Sequence, residues 1–172
     1  FAWRAATCTT DDGVTCVIRG HHEVPPGTVL DYGDRHVILE GQLRMGAGPA
    51  PRSLTLRTGG DLLIRSAGRI TTEPRGPRDR DAGDLTLTVR GTLTLRGQIE
   101  LEGHPTQGTG GTLTLTTDGA VTIEATGAIL ADGASGGRLD LTIGGDLVLA
   151  CRLKARGHAS HGQVGTITLM VA

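Results

Sequence analysis

The chain has 172 residues and a formal net charge of −1, with 28 glycines and one residue each of Phe, Trp and Tyr. The balanced charge gives no basic field for nucleic acid, and no apolar run is long enough to span a bilayer, so we expect neither nucleic-acid binding nor membrane insertion. The residues available for a core are almost all Leu, Ile and Val, and the many glycines indicate many tight turns.

Residues 1–34 are predicted to form an N-terminal cap or hairpin together with a partial first coil. Cys8 and Cys16 flank the sequence TTDDGVT, in which Asp12-Gly13 is a strong signal for a tight turn. A hairpin there brings the two sulfur atoms together, so we expect a Cys8–Cys16 disulfide and an oxidising compartment. The alternative is a pair of buried free thiols.

Two of the three aromatic residues, Phe1 and Trp3, also lie in this first segment. We expect them either to fold over the first coil as a cap or to insert into the open core of a neighbouring copy. The first residue is Phe rather than Met, so we expect a chain that has been processed or taken from a longer one.

Residues 35–172 repeat a unit of three short strands five times, and a partial earlier unit lies at 14–18 and 28–30. The first strands of the units are 37–39, 62–64, 93–95, 121–123 and 147–149. The second strands are 43–45, 70–72, 99–101, 129–131 and 153–155. The third strands are 54–56, 85–87, 113–115, 139–141 and 167–169.

This repeat predicts an all-β, single-stranded parallel β-helix (β-solenoid) with three strands per coil and about five to six coils. Apolar residues occupy every second position, so one set of side chains points inward and builds aliphatic columns along the axis. An antiparallel sandwich is the main alternative, but it requires hairpin turns and does not place three columns in register.

Two stretches, GGTLTLTTDGAVTIEATGAILADGAS and GGDLLIRSAGRIT, resemble the passenger repeats of large bacterial exoproteins. These are the filamentous-haemagglutinin-like adhesins and the autotransporter passengers, and the resemblance covers residues 35–172. It implies a right-handed parallel β-helix that is secreted or displayed on the cell surface as an adhesin, a stalk or a filament. We carry over the architecture and the location, and no functional residues.

The last strand, in GTITLMVA, would leave Ile167, Leu169 and Val171 at the end of the stack with nothing over them. Either further coils of a longer solenoid follow, or the N-terminal end of another copy covers them. A head-to-tail contact of this kind gives a filament when its rotation does not close. We therefore expect a structural protein that is not an enzyme, needs no cofactor and forms a homo-polymer.

The longest corner loop, 71–84, interleaves basic and acidic residues. It carries Arg75, Arg78 and Arg80 interleaved with Asp79, Asp81 and Asp84. Long loops on a solenoid are frequent binding sites, so the alternative function is an adhesin stalk that recognises a glycan or a cell surface through this loop. The simpler interpretation is a solvated loop whose charges neutralise each other.

Glu73, Glu102 and Asp132 are predicted to form an outward column, with Arg156 next. A Ca²⁺ ion would relieve their repulsion, although these side chains could equally extend into water or pair with arginines. His158 and His161, with His104 two coils away, have the spacing of a weak metal pair.

Two minor alternatives are an ice-binding protein and a polysaccharide-active enzyme. The third strands present outward threonines, of which Thr86 and Thr114 are examples, and such ladders are similar to the faces of ice-binding β-solenoids. A polysaccharide-active enzyme would need a pair of carboxylates at glycosidase separation, which the pattern does not supply. Cys151 is left over, either as a small buried residue or as an intermolecular link.

Overall fold

The structure is a computed structural model that describes residues 8–49, 51–74 and 79–172. All regular secondary structure in these ranges is β-strand. In the same ranges there is no helix with the length and apolar character needed to cross a membrane.

Nineteen strands follow one another along the described chain. They are β1 (Thr10–Asp11), β2 (Thr15–Ile18), β3 (His21–Val24), β4 (Thr28–Asp31), β5 (His36–Leu39), β6 (Gln42–Met45), β7 (Ser53–Thr58), β8 (Leu62–Ile64), β9 (Arg69–Thr71), β10 (Asp84–Val89), β11 (Leu93–Leu95), β12 (Gln98–Glu100), β13 (Thr112–Thr117), β14 (Val121–Ile123), β15 (Ala128–Leu130), β16 (Arg138–Ile143), β17 (Leu147–Leu149), β18 (Arg152–Lys154) and β19 (Thr166–Val171).

The strands form three sheets. Sheet 1 has the order β1-β2-β5-β8-β11-β14-β17, sheet 2 the order β3-β6-β9-β12-β15-β18, and sheet 3 the order β4-β7-β10-β13-β16-β19. Every strand pair is parallel except β1–β2. The chain visits the three sheets in turn, so it is a β-solenoid of six rungs and about five turns. The parallel pairing excludes the antiparallel sandwich.

We number the rungs by their residues: rung 1 is 15–31, rung 2 is 36–58, rung 3 is 62–89, rung 4 is 93–117, rung 5 is 121–143 and rung 6 is 147–171.

The predicted aliphatic columns are confirmed. In sheet 3 the register stacks Leu54, Leu85, Leu113, Leu139 and Ile167, and in sheet 1 it stacks Val37, Leu62, Leu93, Val121 and Leu147. The members from rungs 2 to 5 are fully buried in one continuous core. Burying these side chains stabilises the solenoid, and only neighbouring rungs supply the burial.

Rung 1 is complete, whereas the sequence predicts a partial coil there. Its second strand, β3, contains His21, His22 and Glu23, which hide the aliphatic alternation. His22 stands in the column of Leu43, and its Nε2 lies 2.7 Å from the carbonyl oxygen of Arg19. A polar residue thus replaces an aliphatic one at the N-terminal end of the column, because a backbone partner is within reach there.

A glycine closes the base of the variable loop between sheets 2 and 3 in rungs 3 to 6. The amide of Gly83 donates to the carbonyl of Thr72, and Gly111 donates to Leu101 one rung later. Gly137 and Gly165 make the same bond in rungs 5 and 6. Loops of different length therefore return the chain to the same point, and the third strands stay in register.

Candidate assembly site

The last rung presents the bare end of all three sheets. β17, β18 and β19 each lie at the edge of a sheet, with no strand beyond them in the part of the chain that the structure describes. Their outward backbone N–H and C=O groups are available to another strand. An unprotected sheet edge is a template for pairing with another β-structure.

The inward side chains of β19 are half-exposed. Ile167 and Leu169 are each 42% exposed and Val171 is 49% exposed, whereas their rung 5 equivalents Leu139, Leu141 and Ile143 are at most 1% exposed. The two sets occupy the same columns and differ only in having a rung above them. The sequence pattern pointed to these three residues, and the structure leaves them uncovered.

The other two strands of rung 6 extend this apolar end. Val148 and Leu149 of β17 are exposed, and Leu153 of β18 is partly buried against the core. Cys151 lies between these strands as a free cysteine, half-buried, and burial raises the pKa of its thiol. A thiol with a raised pKa holds little thiolate at neutral pH and is a weak nucleophile.

The opposite end of the solenoid is closed over one sheet. β1 pairs antiparallel with β2, and Cys8 and Cys16 form a disulfide with Cα atoms 5.4 Å apart. Cys16 is buried in the column of Val37, and Cys8 packs against the core beneath it. Phe1 and Trp3, the other residues assigned to assembly, lie outside the described residues.

The turn between β1 and β2 holds itself together with its own side chains. Asp12 Oδ1 accepts bonds from the amides of Val14 and Thr15, at 2.9 and 2.6 Å, and Gly13 has a φ of 84°. Asp11 Oδ1 accepts from the Gly13 amide at 3.0 Å and from Arg35 Nε at 2.8 Å. These bonds lower the pKa of both carboxyls, and they explain why Asp12-Gly13 forms a turn here.

The described part of loop 71–84 is bonded to its neighbours. Arg80 accepts a bond on its carbonyl from the His104 amide, and Asp81 Oδ1 accepts from the Thr109 amide, both at 2.8 Å. Arg52 Nη1 donates to the Asp81 carbonyl at 2.9 Å. A groove of about 410 Å³ lies against this loop and includes Asp79. Arg75 and Arg78 lie outside the described residues.

In the acidic column, Asp132 has basic partners whereas Glu102 lies among acidic neighbours. Asp132, only 7% exposed, accepts from the Arg156 amide at 2.7 Å and lies 3.4 Å from Arg156 Nε and 3.6 Å from His158 Nε2. Burial raises the pKa of Glu102, and the charges of Glu73 and Asp132 raise it further. No group of three His, Cys, Asp or Glu side chains in the described ranges is placed to hold a metal ion. The Ca²⁺ site at this column stays a prediction.

Glu102→Gln is expected to stabilise the protein at pH 7. The folded-state pKa of Glu102 is raised, so its ionisation destabilises the fold as the pH rises from the ordinary carboxyl value through that raised value. The gain in melting temperature should vanish at pH values below about 4. Thermal unfolding of both proteins across this range measures it. Glu124→Gln, which removes an ion pair with Arg96 at 2.8 Å, is the control and should give no gain. A Glu102→Gln protein less stable than the parent at pH 7 would contradict the argument.

Two charged features of the fold were not predicted from the sequence. Glu40 bridges Arg19 and Arg65 at the corner between sheets 1 and 2, with 2.7 Å to each. Glu100 is 9% exposed and 3.4 Å from Arg69, and burial raises its pKa. The ion pairs of both glutamates could have been predicted from the sequence, because opposite charges recur about one rung apart along the chain.

The remaining candidates do not come together. His104 Nδ1 lies 3.1 Å from the Thr106 hydroxyl, and His158 lies beside Asp132. In sheet 3, the threonine column that contains Thr114 continues into Asp140, which pairs with Arg138. This ion pair interrupts the regular threonine surface that the ice-binding hypothesis requires.

Comparisons with known proteins find no relatives. No protein-family model matches the chain, and no curated protein or solved structure is significantly similar to it. The resemblance to bacterial exoprotein repeats therefore rests on the repeat pattern and on the solenoid fold.

Proposed function

We propose that this chain is a structural, non-enzymatic solenoid protein of an extracellular space or a cell surface, and that it stacks end to end with copies of itself. One observation carries the proposal: rung 6 exposes the edges of three sheets and the end of the apolar core. The Cys8–Cys16 disulfide supports an oxidising location.

The two ends have compatible patterns in sheets 2 and 3. If a second copy continues the register, its Leu30 follows Leu169 in the same inward column, since both belong to the Leu56 column. In sheet 2, Lys154 and the second copy's Glu23 belong to one outward column. Such a contact combines apolar burial, opposite charges and strand pairing. It is head-to-tail, so it propagates into a filament when the rotation does not close.

Leu169→Asp is expected to abolish assembly while the monomer stays folded. Leu169 is 42% exposed in the single chain, so a carboxylate there remains hydrated, but stacking would bury it in the joint. Sedimentation velocity and negative-stain microscopy measure the result: threads for the parent and short uniform particles for the variant. Thr166→Asp is the control, because Thr166 is exposed on the same strand beside Arg138 and adds the same charge outside the inward column.

The proposal fails if Leu169→Asp assembles like the parent. It also fails if the parent stays monomeric at every concentration tested, and that outcome favours rung 6 as the point where a longer solenoid continues.

A second candidate function, an adhesin stalk for a glycan or another surface, is favoured by the groove of about 410 Å³ beside loop 71–84. Arg52 and Arg80 line it together with Asp79, so it offers both donors and acceptors. The groove lies in rungs 2 and 3, far along the axis from rung 6. Leu169→Asp therefore separates the two functions, since a stalk keeps its surface binding when assembly is lost.

A further inference from the structure

The first rung has one edge that is occupied from within the chain. β1 covers the outer edge of β2, with the pairs Thr10–Val17 and Asp11–Cys16 and a bond of 2.7 Å from the Thr9 amide to the Val17 carbonyl. β3 and β4 have no such cover among the described residues. In the stacked arrangement proposed above, β1 occupies the position that β17 of the neighbouring copy takes against β2, so the joint closes fully over sheets 2 and 3 only when β1 moves aside.

The backbone alone holds β1 weakly. It has two residues, both exposed, and a two-residue ladder contributes little. Three further ties fix it: the Cys8–Cys16 disulfide, the Asp11–Arg35 ion pair at 2.8 Å, and the Thr9 hydroxyl, which accepts from the Arg19 amide at 2.9 Å. The two noncovalent ties are solvent-exposed, so the disulfide is the strongest constraint on β1.

The edge beneath β1 matches the last strand of sheet 1. Continued register places Leu147, Val148 and Leu149 of one copy against Cys16, Val17 and Ile18 of the next, since the two sets belong to the same three columns. No charged residue occurs in either set, and the inward positions are aliphatic or cysteine. The pairing would complete sheet 1 across the joint.

We infer that the outer edge of β2 is a latent docking edge for β17 of a second copy, and that the Cys8–Cys16 disulfide keeps it covered by β1. We call β1 and this disulfide the latch. The inference rests on the proposed end-to-end stacking and adds a way in which the redox state regulates that stacking. A dithiol reductant opens the latch: its two thiols become a disulfide, and Cys8 and Cys16 take up the two electrons and two protons as thiols. β1 is then tied only by exposed contacts and can leave β2.

The test compares assembly of the parent with that of Cys8→Ala/Cys16→Val. Valine is chosen because Val37 and Val121 already occupy the column of Cys16. We expect the critical concentration for assembly, measured by sedimentation, to fall at least about tenfold, because a third sheet joins the contact. The parent treated with dithiothreitol should approach the variant, and the variant should not respond to the reductant. Cys151→Ser is the control for the remaining thiol: whatever its own critical concentration, dithiothreitol should lower that concentration as it does for the parent.

The outcomes separate this inference from the stacking itself. If the double variant is folded by circular dichroism and assembles no better than the parent, the latch is wrong and stacking stands. If the double variant does not fold, the reduced parent decides in its place, and unchanged assembly on reduction overturns the latch. If no form assembles, or if Leu169→Asp has no effect in any form, stacking fails and the latch fails with it.

Discussion

Leu115→Ala is expected to lower the free energy of unfolding by about 3 kcal/mol. Leu115 lies in β13, at the centre of the stack, and is fully buried. It stands in an inward column between Leu87 and Leu141, so rungs on both sides pack against it. Alanine removes the transfer free energy of the side chain and leaves a cavity, because the strands that hydrogen-bond on either side limit collapse. Urea denaturation followed by far-ultraviolet circular dichroism measures the loss.

Leu169→Ala is the matched control for this prediction. Leu169 occupies the same column, in the strand of the last rung, but it is 42% exposed because nothing covers it. The same chemical change should therefore lower the stability of the monomer by only about 1 kcal/mol. Equal losses at the two positions would show that the column does not derive its stability from the rung above.

The period of the sequence predicts the fold because few physical alternatives satisfy it. Aliphatic residues at every second position need a strand, and strands of three residues cannot bury a face alone. Leu54, Leu85 and Leu113 therefore have to stack on one another, and the structure places them in register. The loops between sheets 2 and 3 vary in length without disturbing this, since those of rungs 3 to 6 are each closed by a glycine at the base.

The ends of the solenoid were harder to predict. The inward position of Ile167 and Leu169 follows from alternation alone, and in the described chain β19 is the edge strand of sheet 3, so both side chains are exposed there. The cover over β2 comes from the short exposed strand β1, which has no apolar period, and the hairpin there was predicted instead from the Asp12-Gly13 turn and the flanking Cys8 and Cys16. β3 was missed for the related reason that His22 replaces an aliphatic residue and is satisfied by a carbonyl, a contact that sequence periodicity does not show.

The polar candidates show a different limit. Sequence spacing placed Glu73, Glu102 and Asp132 in one column, and the mutual effect on the pKa of Glu102 agrees with that placement. Which groups the acidic side chains contact depends on residues such as Arg156, whose backbone and side chain both contact Asp132. A pattern of outward residues gives their order along the axis, but it does not give the rotamers that decide which charges meet.

Gly111→Ala is expected to be about as damaging as the loss of a core leucine, at about 3 kcal/mol. Gly111 lies at the base of the rung 4 loop, where its amide bonds the Leu101 carbonyl and its carbonyl accepts from the Arg138 amide. A Cβ there would collide with the carbonyl oxygen of Gly83 in the rung below. That oxygen is fixed backbone, so relief requires the two rungs to move apart and weakens pairing along sheet 3.

Gly83→Ala tests whether backbone contact is the cause. Gly83 holds the equivalent position one rung earlier, but the atom nearest to its added Cβ is Cε of Met45, the end of a flexible side chain. The closest backbone atom there, the Arg52 carbonyl oxygen, would lie 2.9 Å away, so a shift of a few tenths of an ångström relieves the contact. We expect a loss of about 1 kcal/mol at Gly83, measured by the same denaturation. Similar losses for the two variants would mean that the contact with the Gly83 carbonyl oxygen is not what makes Gly111→Ala costly, and this explanation would then be wrong.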